Sequence, residues 1–233
     1  MRKKSPSKNA TEMAYYALSP DREIRLPDGI REIGNSQFYT SEMEGHLIIP
    51  PTVERIGNYA FCFCSKIKSV RIPDSVKEIG IRAFASCDSL ERITIGDEVE
   101  MIWYSAFENC VSLKEIRLPK SLLEIGHGMF RNCRSLTTVW ITNKDTVIND
   151  VQVNQQKAIK LKRIQSPTRE FSDDPNERAL LYKARIAYQE FLEMTIFKDC
   201  KSLKHIFVPK GSIDNFRYSL PMYLSHLLEE SED

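Results

Sequence analysis

No apolar run in this 233-residue chain approaches the ~20 residues that a helix needs to cross a bilayer, so no transmembrane helix is predicted. An excess of either charge is also missing. Lys and Arg number 33 against 32 for Asp and Glu, a net charge of +1, which argues against a general nucleic-acid or membrane-surface binder. Histidine is scarce: His46, His127, His205 and His226 are scattered, with no Ser, Cys or Asp in a nucleophile-like motif beside them, so no catalytic constellation is legible. There is no Gly-rich phosphate-binding loop. The basic start, Met1 to Ala10, runs into polar residues instead of the apolar core of an export signal, so the sequence as written reads as cytoplasmic. Nothing calls for a cofactor.

What the chain does have is an ordinary folding composition and a clock. Hydrophobic residues make up 42% and charged residues 28%, which places the sequence among folded soluble domains and away from disordered ones. An apolar-Pro pair or its equivalent recurs every 23 residues, at Leu26-Pro27, Ile49-Pro50, Ile72-Pro73, Ile95-Gly96, Leu118-Pro119 and Ile141-Thr142. Ile-Gly keeps the same period at Ile33-Gly34, Ile56-Gly57, Ile79-Gly80 and Ile125-Gly126, with Ile102-Trp103 and Ile148-Asn149 as degenerate copies. Phe follows at 38, 61, 84, 107 and 130, and Cys at 64, 87, 110 and 133. One unit reads I-G-x-x-x-F-x-x-C-x-S-L-x-x-I-x-I-P.

Such a unit is too short to bury its apolar face alone, so its copies must stack and share hydrogen bonds. The stretch L-x-x-I-x-I alternates with period two and predicts a short strand, with Ile116 and Leu118 facing in and Glu115 and Arg117 facing out. Proline after the strand ends it, because it has no N–H to give the ladder. Glycine after Ile predicts a tight bend into the Phe-containing turn.

This unit closely resembles the repeat of the BspA-like leucine-rich-repeat proteins. The resemblance covers roughly residues 24–148 and 196–218. It implies a right-handed repeat solenoid of short parallel strands with turns or short helices, carrying one helical insertion and a C-terminal cap. It also implies binding of a protein or glycan partner, adhesion among the possibilities, at a bacterial cell surface or after secretion.

The period stops after Ile148 and resumes at Phe197, Cys200, Leu203, Ile206, Val208 and Pro209. The Ile-to-Phe step is 5 in a normal copy and 49 here (197 − 148), so 49 − 5 = 44 residues are inserted within one unit. Asp174-Pro175-Asn176-Glu177 supplies an N-cap, a first-turn proline and an acidic start for a helix over about 174–193. Its apolar face is predicted to pack on the solenoid flank. The chain thus divides into an N-terminal segment (1–20), the repeat coils (21–148), the insertion (149–195), a final repeat (196–209) and a capping helix with an acidic tail (210–233). Lys210-Gly211-Ser212 resembles the closing motif of BspA-like arrays, and the acidic run from Glu229 to Asp233 reads as a solvated end.

Five of the six cysteines, Cys64, Cys87, Cys110, Cys133 and Cys200, occupy one repeat position and predict a column of buried, reduced thiols. The Cys62-Phe63-Cys64 pair has no second pair or clustered histidine and is poor evidence for a metal.

The remaining candidate is the outward strand face. One row holds His46, Ser69, Arg92, Glu115, Thr138 and His205; the other holds Arg25, Ile48, Arg71, Thr94, Arg117, Trp140 and Phe207. Arg and Trp dominate interface hot spots, so Arg71, Arg92, Glu115, Arg117, Trp140, His205 and Phe207 are the candidate partner-binding residues. The competing reading is a solvated face, with Trp140 and Phe207 covered by the inserted helix. Two functions stay open: a non-catalytic scaffold that binds through the strand face, and an intracellular regulatory or assembly scaffold that binds through 149–195. An enzyme with a site hidden in the insertion finds no support in a convergent acid, base and nucleophile set.

Overall fold

The computed structural model describes residues 17–18, 22–148, 196–217, 220 and 222–231. The helix predicted for 174–193 lies outside them, as does most of the N-terminal segment.

The described chain winds as a solenoid whose coils repeat the same backbone path. One side is built by β2 (Glu23–Arg25), β4 (Gly45–Ile48), β6 (Ile67–Arg71), β8 (Arg92–Thr94), β10 (Glu115–Arg117), β12 (Thr138–Trp140) and β14 (His205–Val208). The second side is built by two-residue strands: β3 (Glu32–Ile33), β5 (Arg55–Ile56), β7 (Glu78–Ile79), β9 (Met101–Ile102), β11 (Glu124–Ile125) and β13 (Val147–Ile148). Pairing is parallel and in phase with the repeat, as in Ile33 with Ile56 and Ile56 with Ile79. The phase survives the insertion: Trp140 pairs with Phe207, a step of 67, which is 23 + 44.

Period-two alternation puts Ile24, Leu47, Val70, Ile93, Ile116, Val139 and Ile206 in one buried column. Phe38, Phe61, Phe84, Phe107, Phe130 and Phe197 form another, each ring stacked on the next. Like side chains repeating at 23 residues therefore meet their own kind across coils, and no coil has a complete core without its neighbours. After each strand the chain turns at proline, where the Pro50, Pro73 and Pro119 carbonyls accept from Val53, Val76 and Leu122.

The cysteine column is buried as the repeat implies, and it also has a polar task. Each thiol donates to the carbonyl of a Phe one coil back: Cys64 to Phe38 at 3.0 Å, Cys87 to Phe61 at 3.3 Å, Cys110 to Phe84 at 3.2 Å, Cys133 to Phe107 at 3.1 Å and Cys200 to Phe130 at 2.9 Å. Burial pushes the Cys64, Cys110 and Cys200 thiols up to about 12, and Cys87 and Cys133 also well up.

The repeat glycines do a different job from the bend predicted for them. Gly57 and Gly80 have ordinary backbone angles, but a Cβ on Gly57 would stand 2.7 Å from the Asn35 nitrogen, and one on Gly80 would stand 2.6 Å from the Asn58 nitrogen. Glycine is there so that successive coils can touch. The left-handed turn falls two residues later, at Ser36, Tyr59, Arg82, Ser105 and Gly128.

Both ends of the first side are covered. β1 (Ala17–Leu18) pairs antiparallel with β2. At the other end α1 (Ile213–Arg217) and a 3₁₀ helix over Met222–Leu227 lead into β15 (Leu228–Glu230), which pairs in parallel with β14. The Glu229-Glu230 stretch, read from sequence as a solvated end, is thus a strand whose side chains stay exposed. Glu229 contacts His205 Nδ1 at 2.6 Å, and Glu230 accepts from the Gly211 N–H at 2.7 Å.

Candidate functional site

The strand face carries the two predicted rows in register. Ser69 lies beside Arg92, Arg71 beside Thr94, Glu115 beside Thr138, and Arg117 beside Trp140. Arg71, Arg92, Glu115 and Arg117 are exposed, whereas Trp140, His205 and Phe207 are half-buried.

The predicted residues separate into two groups. Trp140, Phe207 and His205 form an aromatic stack at the C-terminal end, with ring centroids 5.8 Å apart between Trp140 and Phe207 and 5.9 Å apart between His205 and Phe207. Arg71, Arg92 and Arg117 lie along the middle of the face around two depressions. One, of about 220 Å³, lies among Arg92, Thr94, Glu115, Arg117 and Trp140. The other, of about 240 Å³, lies among His46, Ser69, Arg71, Arg92 and Thr94. Arg92 and Thr94 line both, while His205 and Phe207 line neither.

The first depression coincides with an interruption that sequence reasoning missed. The sheet ends at β8 and restarts at β10, giving a five-stranded and a four-stranded sheet, whereas the short strands of the second side run unbroken from β3 to β13. Ile72 donates to the Thr94 carbonyl and Leu118 to the Trp140 carbonyl, both at 2.8 Å, but the bond from Ile95 that would match them is missing from the described residues.

On the turn side Trp103 occupies the column of Gly57 and Gly80, yet its coil closes there as the others do: Trp103 donates to the Ile79 carbonyl at 2.9 Å, and β9 pairs with β7. Phe ring spacing widens from 5.0 Å for Phe38–Phe61 and 5.1 Å for Phe61–Phe84 to 5.9 Å for Phe84–Phe107 and also for Phe107–Phe130, where β10 and β12 are paired, so it does not follow the interruption. Ile93 and Ile95, on the opened edge, are 8% and 7% exposed, against 0 to 4% for Ile24, Leu26, Leu47, Ile49, Val70 and Ile72.

Charges elsewhere are largely paired between coils. Arg55 bonds to both Glu32 and Glu78, Arg31 to Glu54 at 3.0 Å, Lys77 to Glu98 at 3.0 Å, Lys114 to Glu91 at 3.2 Å, and Lys120 to Asp97 at 3.1 Å. Arg82 and Arg131 both face the buried Glu108. On the strand face, by contrast, Arg71 and Arg92 have no carboxylate within ion-pair distance among the described residues.

A second aromatic cluster, absent from the sequence candidates, sits on the turn side. Tyr104 stacks on His127 at 5.2 Å and meets Trp103 edge-on at 5.9 Å, and burial lowers the His127 pKa. Among the described residues no three His, Cys, Asp or Glu side chains group as metal ligands, and no helix is long and apolar enough to cross a membrane.

The chain belongs to the BspA type leucine rich repeat family, whose model matches in six copies over residues 7–86 and 31–160. This is a family of repeat scaffolds of bacterial surface type, which typically bind proteins, and not a catalytic one. No curated protein matches the chain in sequence. Among solved structures it is similar to the leucine rich repeat protein TpLRR of T. pallidum, at 28% identity and a TM-score of 0.50, covering 63% of this chain and 81% of that one. A leucine-rich repeat protein of Bacteroides ovatus shares the fold at 24% identity and a TM-score of 0.55, covering 91% of this chain and 45% of that one. One of Eubacterium ventriosum does so at 16% and 0.53, covering 84% and 41%. The chain therefore spans less than half the length of these last two.

Proposed function

We propose that the chain is a non-catalytic recognition scaffold that binds a protein or glycan partner through its strand face, in a setting such as adhesion. The observation that carries this reading is the charge pattern. Across the turns and flanks, Arg and Lys are largely matched to carboxylates one coil away, while Arg71 and Arg92 project from the sheet without one among the described residues, beside Trp140 and two depressions. Side chains that stabilise the fold little and are enriched in Arg and Trp mark contact surfaces. The family supplies the same expectation, since its repeats serve as binding scaffolds.

The test begins by probing arrays of matrix proteins and glycans with the purified chain to find a binder. The Arg92→Ala/Trp140→Ala variant should then bind at least about tenfold more weakly, the loss typical of removing hot-spot side chains. Its thermal midpoint should shift little, because Arg92 is exposed and Trp140 only half-buried. Undiminished binding by this variant removes the strand face as the site.

A further inference from the structure

The opening between β8 and β10 gives this face a chemical preference, and the inference rests on the strand-face reading above. We infer that the opened face takes an acidic polypeptide segment, with its carboxylates on Arg71 and Arg92 and an apolar or aromatic side chain at the opening beside Trp140.

Charge complementarity is the first support. Acidic groups near the depressions are mostly neutralised from within: Glu23 by Arg25 at 2.7 Å and Asp97 by Lys120 at 3.1 Å. Among the described residues Glu115 is the one depression-lining carboxylate without an ion-pair partner, and it lines the first depression together with Arg92 and Arg117. A planar guanidinium presents two parallel N–H donors to one carboxylate, so Arg71 and Arg92 suit Asp and Glu side chains.

The second support is the opening itself. Where the ladder stops, β8 and β10 remain neighbours without pairing. The less covered Ile93 and Ile95 and the flank of Trp140 give the depression there an apolar floor. Depressions of about 220 and 240 Å³ are of side-chain size. A bulk electrostatic partner such as nucleic acid is disfavoured by a net charge of only +1.

The probe is a fluorescein-labelled peptide of alternating Glu and Tyr, compared with its Gln–Tyr counterpart by fluorescence anisotropy against the full chain. The acidic peptide should bind, the Gln peptide should not, and affinity should fall as salt rises. Arg71→Glu/Arg92→Glu should weaken binding at least about tenfold, as like charges are brought together, with an unchanged melting temperature. Trp140→Ala should weaken the Glu–Tyr peptide as well, since Trp140 borders the depression at the opening.

Equal binding of the Glu and Gln peptides, or full affinity in the charge-reversed variant, overturns the acidic preference. Unchanged affinity in a folded Trp140→Ala variant overturns the apolar contact beside the opening. A sulfated heparin fragment that binds where the peptide does not reassigns the face to glycans and also overturns the proposal. If the peptide fails but the Arg92→Ala/Trp140→Ala variant still loses its array partner, the strand-face function stands and only this preference falls.

Discussion

Phe130 and Phe197 stack with ring centroids 5.6 Å apart and planes 12° from parallel, although they stand 67 positions apart along the chain. The same step links the Cys200 thiol to the Phe130 carbonyl at the spacing every other cysteine keeps, 26 residues plus the 44 inserted making 70. The final coil is therefore docked by repeat contacts. Its place in the stack is set by Ile196, Phe197, Leu203 and Ile206, all buried.

Removing 151–194 is the direct test. That deletion takes out 44 residues and restores the normal Ile-to-Phe step of 5, from Ile148 to Phe197. Loop closure costs only about 0.6 kcal/mol per doubling of length, so the shortened chain should be equally stable or about 1 kcal/mol more so. Urea unfolding followed by circular dichroism checks this. A large drop in midpoint would mean that the segment, and not the repeat, secures the last coil.

Much of the architecture was legible in the sequence because each core position recurs in phase, so Phe, Cys and Ile columns declare their neighbours. What escaped was decided by distances. The glycines announced themselves as bends, yet Gly57 and Gly80 matter because a Cβ there would collide with the previous coil. The break between β8 and β10 escaped because Ile93, Ile95, Ile116 and Leu118 keep the strand pattern on both sides of it. β15 escaped because Leu228–Glu230 is short, acidic and has no later copy to set a period. At the site, outward alternation located Arg71, Arg92 and Arg117 on one face. It could not show which arginines lack an ion-pair partner, because that depends on where the lateral carboxylates reach.

The cysteine column makes stability sensitive to alkali. Burial raises the Cys64, Cys110 and Cys200 thiols from 9.0 to about 12. Below pH 9 these thiols are protonated in both the folded and unfolded chain and add no pH dependence. Above it only the unfolded chain ionises, so stability falls from about pH 9 toward 12, by on the order of 1 kcal/mol per buried thiol for the first unit. The urea midpoint should drop between pH 8 and pH 10, and Cys110→Ala should lessen the slope. Iodoacetamide should label these thiols only on unfolding. Rapid labelling of the native chain at neutral pH would contradict their burial.

Glu108 is the one strongly buried carboxylate among the described residues, and two arginines depend on it. Arg131 bonds to Oε1, and Arg82 stands 3.2 Å from Oε2, out of line for a hydrogen bond. Glu108→Ala leaves Arg82 and Arg131, one coil to either side of it, without the carboxylate that they share. Both guanidinium groups keep some access to water, so the cost should be about 1–3 kcal/mol, below that of a fully buried broken pair. Replacing Arg131 as well, with Met, should recover part of the loss, and a double-mutant cycle in urea measures the recovery. Additive losses in the cycle would show that the pair is not coupled.

The left-handed turn residue offers a gain. Ser105 has φ of 55°, as do its repeat equivalents Ser36, Tyr59 and Arg82 at 54°, 58° and 52°, and the one glycine of that column is Gly128 at 59°. An L-residue in this region costs about 1–2 kcal/mol. Glycine avoids that cost but loses about 0.5–1 kcal/mol more in backbone entropy on folding. Ser105→Gly should therefore stabilise the chain by up to about 1 kcal/mol. The backbone bonds are kept, since Ser105 donates to the His127 carbonyl at 2.9 Å and accepts from Glu108 at 3.0 Å through main-chain atoms alone. Gly128→Ala is the reverse experiment: it adds a Cβ in the same region 3.2 Å from Ser105 Oγ and should destabilise by about 1 kcal/mol or more. Chemical denaturation of both variants decides it, because a loss in Ser105→Gly would mean that Ser105 contributes more through packing than it costs in backbone strain.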